Sequence, residues 1–353
     1  LSHCRENDLS LALAQTDAKG DRSLRPHEQA DPDLYVRIVD RRNDGIVVRG
    51  AKAHTTASPA ANELIVIPTR AMGPEDADYA VAFAVPIDTP GLILICRPTG
   101  SIDQDGRDFP VSRYNIETES LTVFDDVFVP WDRVFLAGEY QHAGLLANTF
   151  GTIHRFTGVS YKPPIGDMLI GMAQLVAEYN GIAGVAHVRE KITRLIQYTE
   201  MIRACGKTAA LEAQVEPLTG LAIPNRIYTN IGKAHFASQF HEACRLVQDI
   251  AGGLTITMPN AVDWDNPELR PYIDKYLAGK SGIPTEARLR LYALIRDITA
   301  SEFGGYNYVV TLHGEGPLTA QALALYREYD LDRCKSLVLK ALDRTSVPAP
   351  VRN

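Results

Sequence analysis

The sequence predicts an α+β fold in which an antiparallel β region is followed by a helical region. Short β-branched runs separated by turn formers occupy the first part of the chain, whereas apolar residues recur at helical spacing beyond Gly138. Strands that precede a run of helices, rather than alternating with helices, argue against a doubly wound parallel sheet. We therefore predict a β-domain at residues 1–137 and a helical domain at residues 138–353.

The β region contains runs typical of strands, with turn formers such as Asn43, Asp44 and Gly45 between them. The predicted strands are residues 35–39, 45–49, 63–67, 79–85, 91–96 and 121–124. We expect them to form a compact antiparallel barrel or sandwich, which ends with the segment 128–135.

The helical region is predicted to contain several long helices. Pro163 and Pro164 stand where prolines are tolerated at a helix start, and apolar residues follow them at spacings typical of a helix. Further helices are predicted at residues 183–215, 222–251, 267–278, 284–303 and 318–343.

Composition places the chain among ordinary globular proteins and excludes two partners. The 353 residues are 45% hydrophobic and 22% charged. A net charge of -7 argues against nucleic acid as a partner, and no apolar run approaches the length of a membrane span. The five scattered cysteines are typical of reduced thiols, so we expect a cytoplasmic protein.

Three polar, glycine-containing segments are candidates for ligand binding: residues 15–23 (QTDAKGDRS), 50–56 (GAKAHTT) and 248–254 (QDIAGGL). Gly20 and Gly50 would let the backbone approach a ligand closely, and Lys19 and Arg22 could neutralise a phosphate. A solvated turn is the alternative for residues 19–22, and a helix C-cap for Gly252 and Gly253.

On these segments the chain resembles the flavoprotein family of 4-hydroxyphenylacetate 3-hydroxylase and 4-hydroxybutyryl-CoA dehydratase. The resemblance implies an acyl-CoA dehydrogenase-like architecture: a helical N-terminal domain, a central β-domain and a C-terminal four-helix bundle. The sequence begins Leu1-Ser2-His3 with no Met, so the resemblance implies that the N-terminal domain is missing from it or lies on another chain. It also implies a homotetramer with FAD between the β-domain and the bundle.

The resemblance further assigns residues to the cofactor. The flavin cradle would consist of Gln15, Thr16, Lys19, Gly20, Asp21, Arg22 and Thr56, in which the threonine hydroxyls can bond the edge of the flavin ring. Contact with the flavin of a neighbouring subunit would come from Gln248, Gly252 and Gly253. A turn before the last long helix would also lie near the cofactor: His313, Gly314, Glu315 and Gly316.

Position 161 discriminates between the two branches of the family. The resemblance implies that the dehydratase branch holds an iron-sulfur cluster with a histidine and a cysteine seven residues later. His154 matches that histidine, but Tyr161 occupies the cysteine position, and a phenol oxygen is too hard a donor to replace a thiolate. Gly158 and Val310 also replace two side chains of the dehydratase site. We therefore predict a protein without an iron-sulfur cluster.

The candidate catalytic residues are His154, Glu119 and Lys162. A buried Glu119 beside the flavin could act as a general base, although a solvated surface carboxylate is an equal alternative. His154 could equally be a histidine satisfied within its helix. His235, His241 and Glu242 are not predicted to bind a metal, because a spacing of six places the two histidines on different helix faces.

We predict a two-component monooxygenase that receives reduced FAD from a separate flavin reductase and hydroxylates a phenol or related small aromatic substrate. One alternative is a flavin-dependent dehydratase or isomerase of a hydroxyacyl-CoA. A second alternative is a non-catalytic subunit that completes a hetero-oligomer.

Overall fold

A computed structural model of the chain describes residues 2–100, 103–115 and 117–345, and it confirms the α+β class. The β-domain begins with a short helix, and its strands follow. The elements are α1 (Ser2–Glu6), β1 (Leu11–Ala14), β2 (Arg37–Arg41), β3 (Gly45–Thr56), β4 (Glu63–Val66), β5 (Val81–Pro86), β6 (Leu92–Pro98), β7 (Thr118–Pro130) and β8 (Val134–Ala137).

The eight strands form two open four-stranded sheets rather than a closed barrel. The strand orders are β1-β4-β5-β8 and β2-β3-β7-β6. All pairs are antiparallel except β1 with β4, which run parallel. The short strands β1 and β8 were not predicted.

The two sheets enclose an apolar core made by the inward residues of β2, β3, β4, β5 and β7. Phe83 from one sheet meets Phe124 from the other with ring centroids 5.6 Å apart and nearly perpendicular rings. This geometry places the positive edge of one ring against the negative face of the other, which is favourable for an aromatic pair.

The helical domain follows β8 and contains four long helices that share one core. Its elements are α2 (Tyr140–Tyr179), α3 (Ala186–Leu211), β9 (Gln214–Val215), β10 (Ala222–Ile223), α4 (Arg226–Ala251), α5 (Leu254–Thr257), α6 (Ala261–Asp265), α7 (Arg270–Tyr276), α8 (Thr285–Thr299), α9 (Glu302–His313), α10 (Leu318–Glu328) and α11 (Leu331–Thr345). Leu169, Leu195, Phe236 and Leu289, one from each long helix, are buried in this core. Within the described residues, no helix is both long enough and apolar enough to cross a membrane.

The prediction that a helix begins at Pro163 and Pro164 was wrong. Both prolines lie inside α2, which starts at Tyr140 and runs for 40 residues. Two prolines leave two carbonyls without helical partners, at a local cost of about 3 kcal/mol or more each. Burial of α2 against α3, α4 and α8 offsets this cost, and packing of this kind routinely overrides local propensity.

Two other predicted helices are each divided in the structure. The predicted helix at 284–303 ends at Thr299, and α9 starts after Ser301, whose hydroxyl accepts the backbone N–H of Gly304. The predicted helix at 318–343 is interrupted by an extended Tyr329, after which Asp330 accepts the N–H of Arg333. In both places a capping side chain starts a new helix inside a continuous apolar pattern.

Gly50 is required by the packing of the β-domain itself. Its φ is +127°, and a Cβ built there would lie 2.3 Å from the carbonyl oxygen of Tyr35. A side chain at this position would therefore push apart two adjacent backbone segments.

We expect Gly50→Ala to lower the free energy of unfolding by about 2 kcal/mol or more, because it adds both a clash and an unfavourable φ. Gly171→Ala is the matched control, since Gly171 lies in α2 and a Cβ added there would meet nothing within 4 Å. In the control, the higher helix propensity of alanine should raise the free energy of unfolding by up to about 1 kcal/mol. Urea denaturation measures the stability of both variants. Equal stability would contradict the packing role of Gly50.

Candidate functional site

Lys52 brings the first two glycine-containing segments together. Its ammonium is buried and donates to Asp17 Oδ1 at 2.6 Å, to the Gln15 carbonyl at 2.9 Å and to the Ile67 carbonyl at 3.0 Å. The N–H of Ala53 also donates to the Thr16 carbonyl at 2.8 Å. The backbone around residues 15–17 is therefore fixed against β3, while the side chains of Gln15 and Thr16 remain half-exposed.

Residues 19–22 form an exposed turn with two cations and an internal carboxylate contact. Gly20 has a φ of +48°, a conformation that favours glycine, and a Cβ there would lie 2.5 Å from the end of the Leu34 side chain. Asp21 accepts both the N–H and the hydroxyl of Ser23. Partial burial and the charge of Arg22 lower the pKa of Lys19. The Lys19 and Arg22 side chains thus form a small positive surface at the turn.

Glu119 of β7 is held by two hydroxyl groups from different domains. Thr56 Oγ1 of β3 donates to Glu119 Oε1 at 2.9 Å, and the hydroxyl of Tyr306 on α9 donates to the same oxygen at 2.7 Å. The second oxygen, Oε2, is buried and has no hydrogen-bond partner among the described residues. Glu119 is therefore not a solvated surface carboxylate, and it retains an acceptor for a ligand.

The electrostatic surroundings of His54 show that this site lies between the two domains. Burial lowers the pKa of the imidazole, the charge of Lys19 lowers it further, Glu119 raises it and His313 lowers it. Lys19, His54 and Glu119 belong to the β-domain, whereas His313 is the last residue of α9. His54 also has a φ of +58°, an uncommon conformation for a residue with a side chain.

Next to this junction, the carboxylate of Glu315 is buried among polar groups of α2 and α4. Tyr161 donates its hydroxyl to Glu315 Oε1 at 2.8 Å, and Lys233 Nζ lies 3.3 Å from Oε2. Arg155 Nε donates to the Glu315 carbonyl at 2.9 Å. A Cβ at Gly158 would lie 2.8 Å from Oε1, so any larger residue at position 158 would force the Glu315 carboxylate to shift.

Lys162 lies beside this cluster, on the turn of α2 that follows Gly158. Its ammonium is buried and donates to Thr311 Oγ1 at 3.0 Å. Burial lowers the pKa of Lys162 to about 8, Glu315 opposes that effect and Lys233 reinforces it. Burial likewise lowers the pKa of His154, whose ring lies 5.1 Å from that of Phe150. Burial therefore brings the pKa of Lys162 closer to neutral pH, whereas it favours the uncharged imidazole of His154.

The remaining predicted cofactor residues lie at helix ends. Gln248 donates its amide to the Thr299 carbonyl at 2.9 Å, which directs this side chain into its own subunit. Gly252 is the C-cap of α4 with a φ of +80°, and positions 252 and 253 both border open space. His313, Gly314, Glu315 and Gly316 form the turn between α9 and α10, where His313 is exposed and Glu315 is buried.

Sequence reasoning missed several residues of the site: Lys52, Arg155, Lys233, Tyr306 and Thr311. Lys233 had a detectable signal, because it lies three residues before Phe236 on an otherwise apolar face of α4.

His235 and His241 each lie against a tyrosine ring, Tyr198 and Tyr308 respectively. The described residues contain no group of three or more His, Cys, Asp or Glu side chains arranged to hold a metal ion.

We expect Lys162→Met to stabilise the protein below pH 8, because it removes a buried charge. In the folded state the pKa falls from 10.5 to about 8, so the unfolded chain binds more protons between these values and wild-type stability rises with pH there. The difference in the free energy of unfolding between the variant and the wild type should therefore shrink by about 3 kcal/mol from pH 8 to pH 10.5. Chemical denaturation at several pH values measures this. A pH-independent difference would contradict a buried ammonium.

Comparison with known proteins identifies the family. Two family models match, 4-hydroxyphenylacetate 3-hydroxylase N terminal over residues 1–136 and 4-hydroxyphenylacetate 3-hydroxylase C terminal over residues 143–343. A 4-hydroxybutyryl-CoA dehydratase/vinylacetyl-CoA-Delta-isomerase of Clostridium aminobutyricum is 36% identical over 350 residues, which are 96% of this chain and 71% of the relative. A 4-hydroxyphenylacetate 3-monooxygenase oxygenase component of Thermus thermophilus is 30% identical over 95% of this chain and 69% of the relative.

Solved structures from both branches share the fold. An oxygen-tolerant archaeal 4-hydroxybutyryl-CoA dehydratase from N. maritimus matches with a TM-score of 0.90 and 34% identity, over 99% of this chain and 70% of that one. The oxygenase component (HpaB) of 4-hydroxyphenylacetate 3-monooxygenase, complexed with FAD and 4-hydroxyphenylacetate, also matches with a TM-score of 0.90. The two are 30% identical, and the match covers 98% of this chain and 72% of that one. Butyryl-CoA dehydrogenase from Megasphaera elsdenii, at 16% identity and a TM-score of 0.54, shares the fold alone. The chain therefore belongs to the 4-hydroxyphenylacetate 3-hydroxylase family and has its acyl-CoA dehydrogenase-like fold.

Proposed function

We propose that this chain is the oxygenase component of a two-component, FAD-dependent monooxygenase that hydroxylates a phenolic or related small aromatic substrate. A separate flavin reductase would supply reduced FAD, and the enzyme would act in the cytoplasm as a homotetramer. The observation that carries the proposal is the contact of Tyr161 with Glu315, because this phenol stands where the dehydratase branch requires a thiolate.

The thiols of the chain support the same conclusion. Burial raises the pKa of Cys205 and raises that of Cys244 to about 12, so both remain protonated inside α3 and α4. The other cysteines lie outside these core helices: Cys4 in α1, Cys96 in β6 and Cys334 in α11. A low-potential cluster needs several thiolates at one place, and the described residues do not bring them together.

The residues at the domain junction fit a flavin. The Lys19 and Arg22 side chains have no carboxylate contact among the described residues and are available to a diphosphate. Thr56 donates to Glu119 and can still accept a hydrogen bond, and the orphaned Glu119 Oε2 accepts one from a bound hydroxyl or ring N–H. Gly252 and Gly253 border open space in which a neighbouring subunit could bring its own flavin. When bound, reduced flavin supplies the electrons that activate O₂ for aromatic hydroxylation.

The chain's own groups would then orient the substrate and move protons. Glu119, fixed by Thr56 and Tyr306, would accept a hydrogen bond or proton from the substrate hydroxyl. His154 and Lys162, both with lowered pKa values, would exchange protons on the opposite side of the junction.

Arg22→Ala and Lys19→Ala should each weaken FAD binding by about tenfold, because each removes a charge-assisted contact to the diphosphate. Arg203→Ala is the control, since Arg203 pairs with Asp167 and Glu200 on the helical domain. Fluorescence titration of FAD measures the affinities. Unchanged affinity in both turn variants would mean that the turn is only solvated.

The reaction itself is tested by supplying reduced FAD and O₂ with a panel of phenols, and separately by supplying 4-hydroxybutyryl-CoA. We expect a hydroxylated phenol and no loss of water from the thioester. The dehydratase is the second candidate, because Thr56, Glu119, His154 and Lys162 match that branch and a dehydratase relative is 36% identical. Dehydration without hydroxylation would establish it, and no product from either substrate would favour the non-catalytic subunit.

A matched pair of variants ties the reaction to Glu119. Glu119→Gln should lower kcat about 100-fold or more if this carboxylate accepts the substrate proton. Glu117→Gln, two residues earlier and exposed, should leave kcat nearly unchanged.

A further inference from the structure

Strand β3 contains a β-bulge centred on His54, next to the domain junction. In the pairing of β3 with β7, Lys52 lies opposite Thr122 and Thr55 lies opposite Ser120. Two residues of β3 therefore face a single residue of β7 between these pairs. Bulges of this kind are common beside active sites, where they turn a side chain away from the regular face of the sheet.

His54 has the left-handed backbone conformation inside this bulge, with a φ of +58°. Glycine is the usual residue in this conformation, because a Cβ makes it less favourable. The two neighbouring residues are fixed by contacts that do not involve the imidazole. The N–H of Ala53 donates to the Thr16 carbonyl, and the buried Thr55 hydroxyl accepts from Thr122. The backbone of the bulge therefore does not need a histidine.

The imidazole of His54 lies on the outer face of β3, as does the side chain of Thr56. Both residues are exposed, whereas Thr55 between them is buried. Thr56 donates to Glu119, and the charges of Lys19 and Glu119 both act on the imidazole. Among the described residues, no group forms a hydrogen bond with the His54 ring, so both of its nitrogens are available to a ligand.

The chemistry of this ring suits the cofactor proposed above. Partial burial favours the uncharged imidazole, which has one donor nitrogen and one acceptor nitrogen. A flavin ring also presents both kinds of group, since it carries carbonyl oxygens, ring nitrogens and an N–H. Because the imidazole senses the charges of Lys19 and Glu119, it lies near both the proposed diphosphate contact and the proposed ring contact.

We propose that His54 is a flavin-binding residue whose imidazole forms a hydrogen bond with the ring end of the cofactor, while the turn at residues 19–22 holds the diphosphate. This inference rests on the proposed function, because it takes FAD as the ligand, and it adds a residue to the cofactor site. The unfavourable backbone conformation is retained because it directs the imidazole out of the sheet and towards the cofactor.

The first experiment separates relief of the backbone from loss of the imidazole. His54→Gly should unfold at a higher urea concentration than the wild type, because glycine adopts a positive φ without a steric penalty. The same variant should bind oxidised FAD about fivefold more weakly, since it removes one hydrogen bond. Fluorescence titration measures the affinity.

Ala57→Gly is the matched control. Ala57 lies three residues after His54, has the same φ of +58° and carries no polar side-chain atom. This variant should also unfold at a higher urea concentration, and it should bind FAD like the wild type. A loss of FAD affinity in Ala57→Gly equal to that in His54→Gly would show that the backbone, not the imidazole, supports binding.

A second experiment uses ADP, which carries the diphosphate of the cofactor but no flavin ring, as a competitor of FAD. His54→Gly should bind ADP like the wild type, whereas Lys19→Ala should bind both ADP and FAD more weakly. An equal loss of ADP and FAD affinity in His54→Gly would place the imidazole at the diphosphate and overturn the contact with the ring.

Unchanged FAD affinity in His54→Gly would also overturn the inference. A lower urea midpoint in that variant would do the same, because the imidazole would then support the fold. A protein that binds FAD through His54 but hydroxylates nothing would refute the proposed function and leave this contact standing. Hydroxylation by a protein whose FAD affinity does not depend on His54 would do the reverse.

Discussion

Burying the carboxylate of Glu315 requires partners from separate parts of the chain, and the candidate site is arranged around that requirement. Tyr161 and Arg155 come from α2, Lys233 comes from α4, and Glu315 itself lies in the turn between α9 and α10. Loss of one partner of a buried ion pair typically costs about 3–5 kcal/mol. Because the partners are distant in sequence, this requirement fixes the turn against both helices.

The same carboxylate accounts for two residues that the resemblance sets apart from the dehydratase branch. Gly158 leaves the space that Glu315 fills, and Tyr161, where the resemblance implies a thiolate in the dehydratase branch, donates to the carboxylate. The two substitutions are therefore physically coupled, since each supports the burial of one acidic group. A cysteine placed at position 161 without any other change would leave Glu315 without its hydroxyl donor.

Helix α2 combines the bundle core and the site in one element. Leu169 and Val176 pack in the core with α3 and α4, whereas Arg155, Tyr161 and Lys162 reach the polar cluster. A rigid helix that serves both purposes holds the functional side chains more precisely than a loop would. Its continuity across Pro163 and Pro164 shows how strongly burial can outweigh local propensity.

The sequence by itself determined the α+β class and most strand positions, and it proposed several residues of the candidate site, because alternation, helical spacing and short polar motifs are local properties. From Tyr161 it also predicts a protein without an iron-sulfur cluster. Only the tertiary structure decided that α2 continues through its prolines, that Gly50 serves packing, and that Tyr306 and Lys233 join the site. These outcomes depend on contacts between residues far apart in the chain, and local sequence does not encode which distant group will share a buried position.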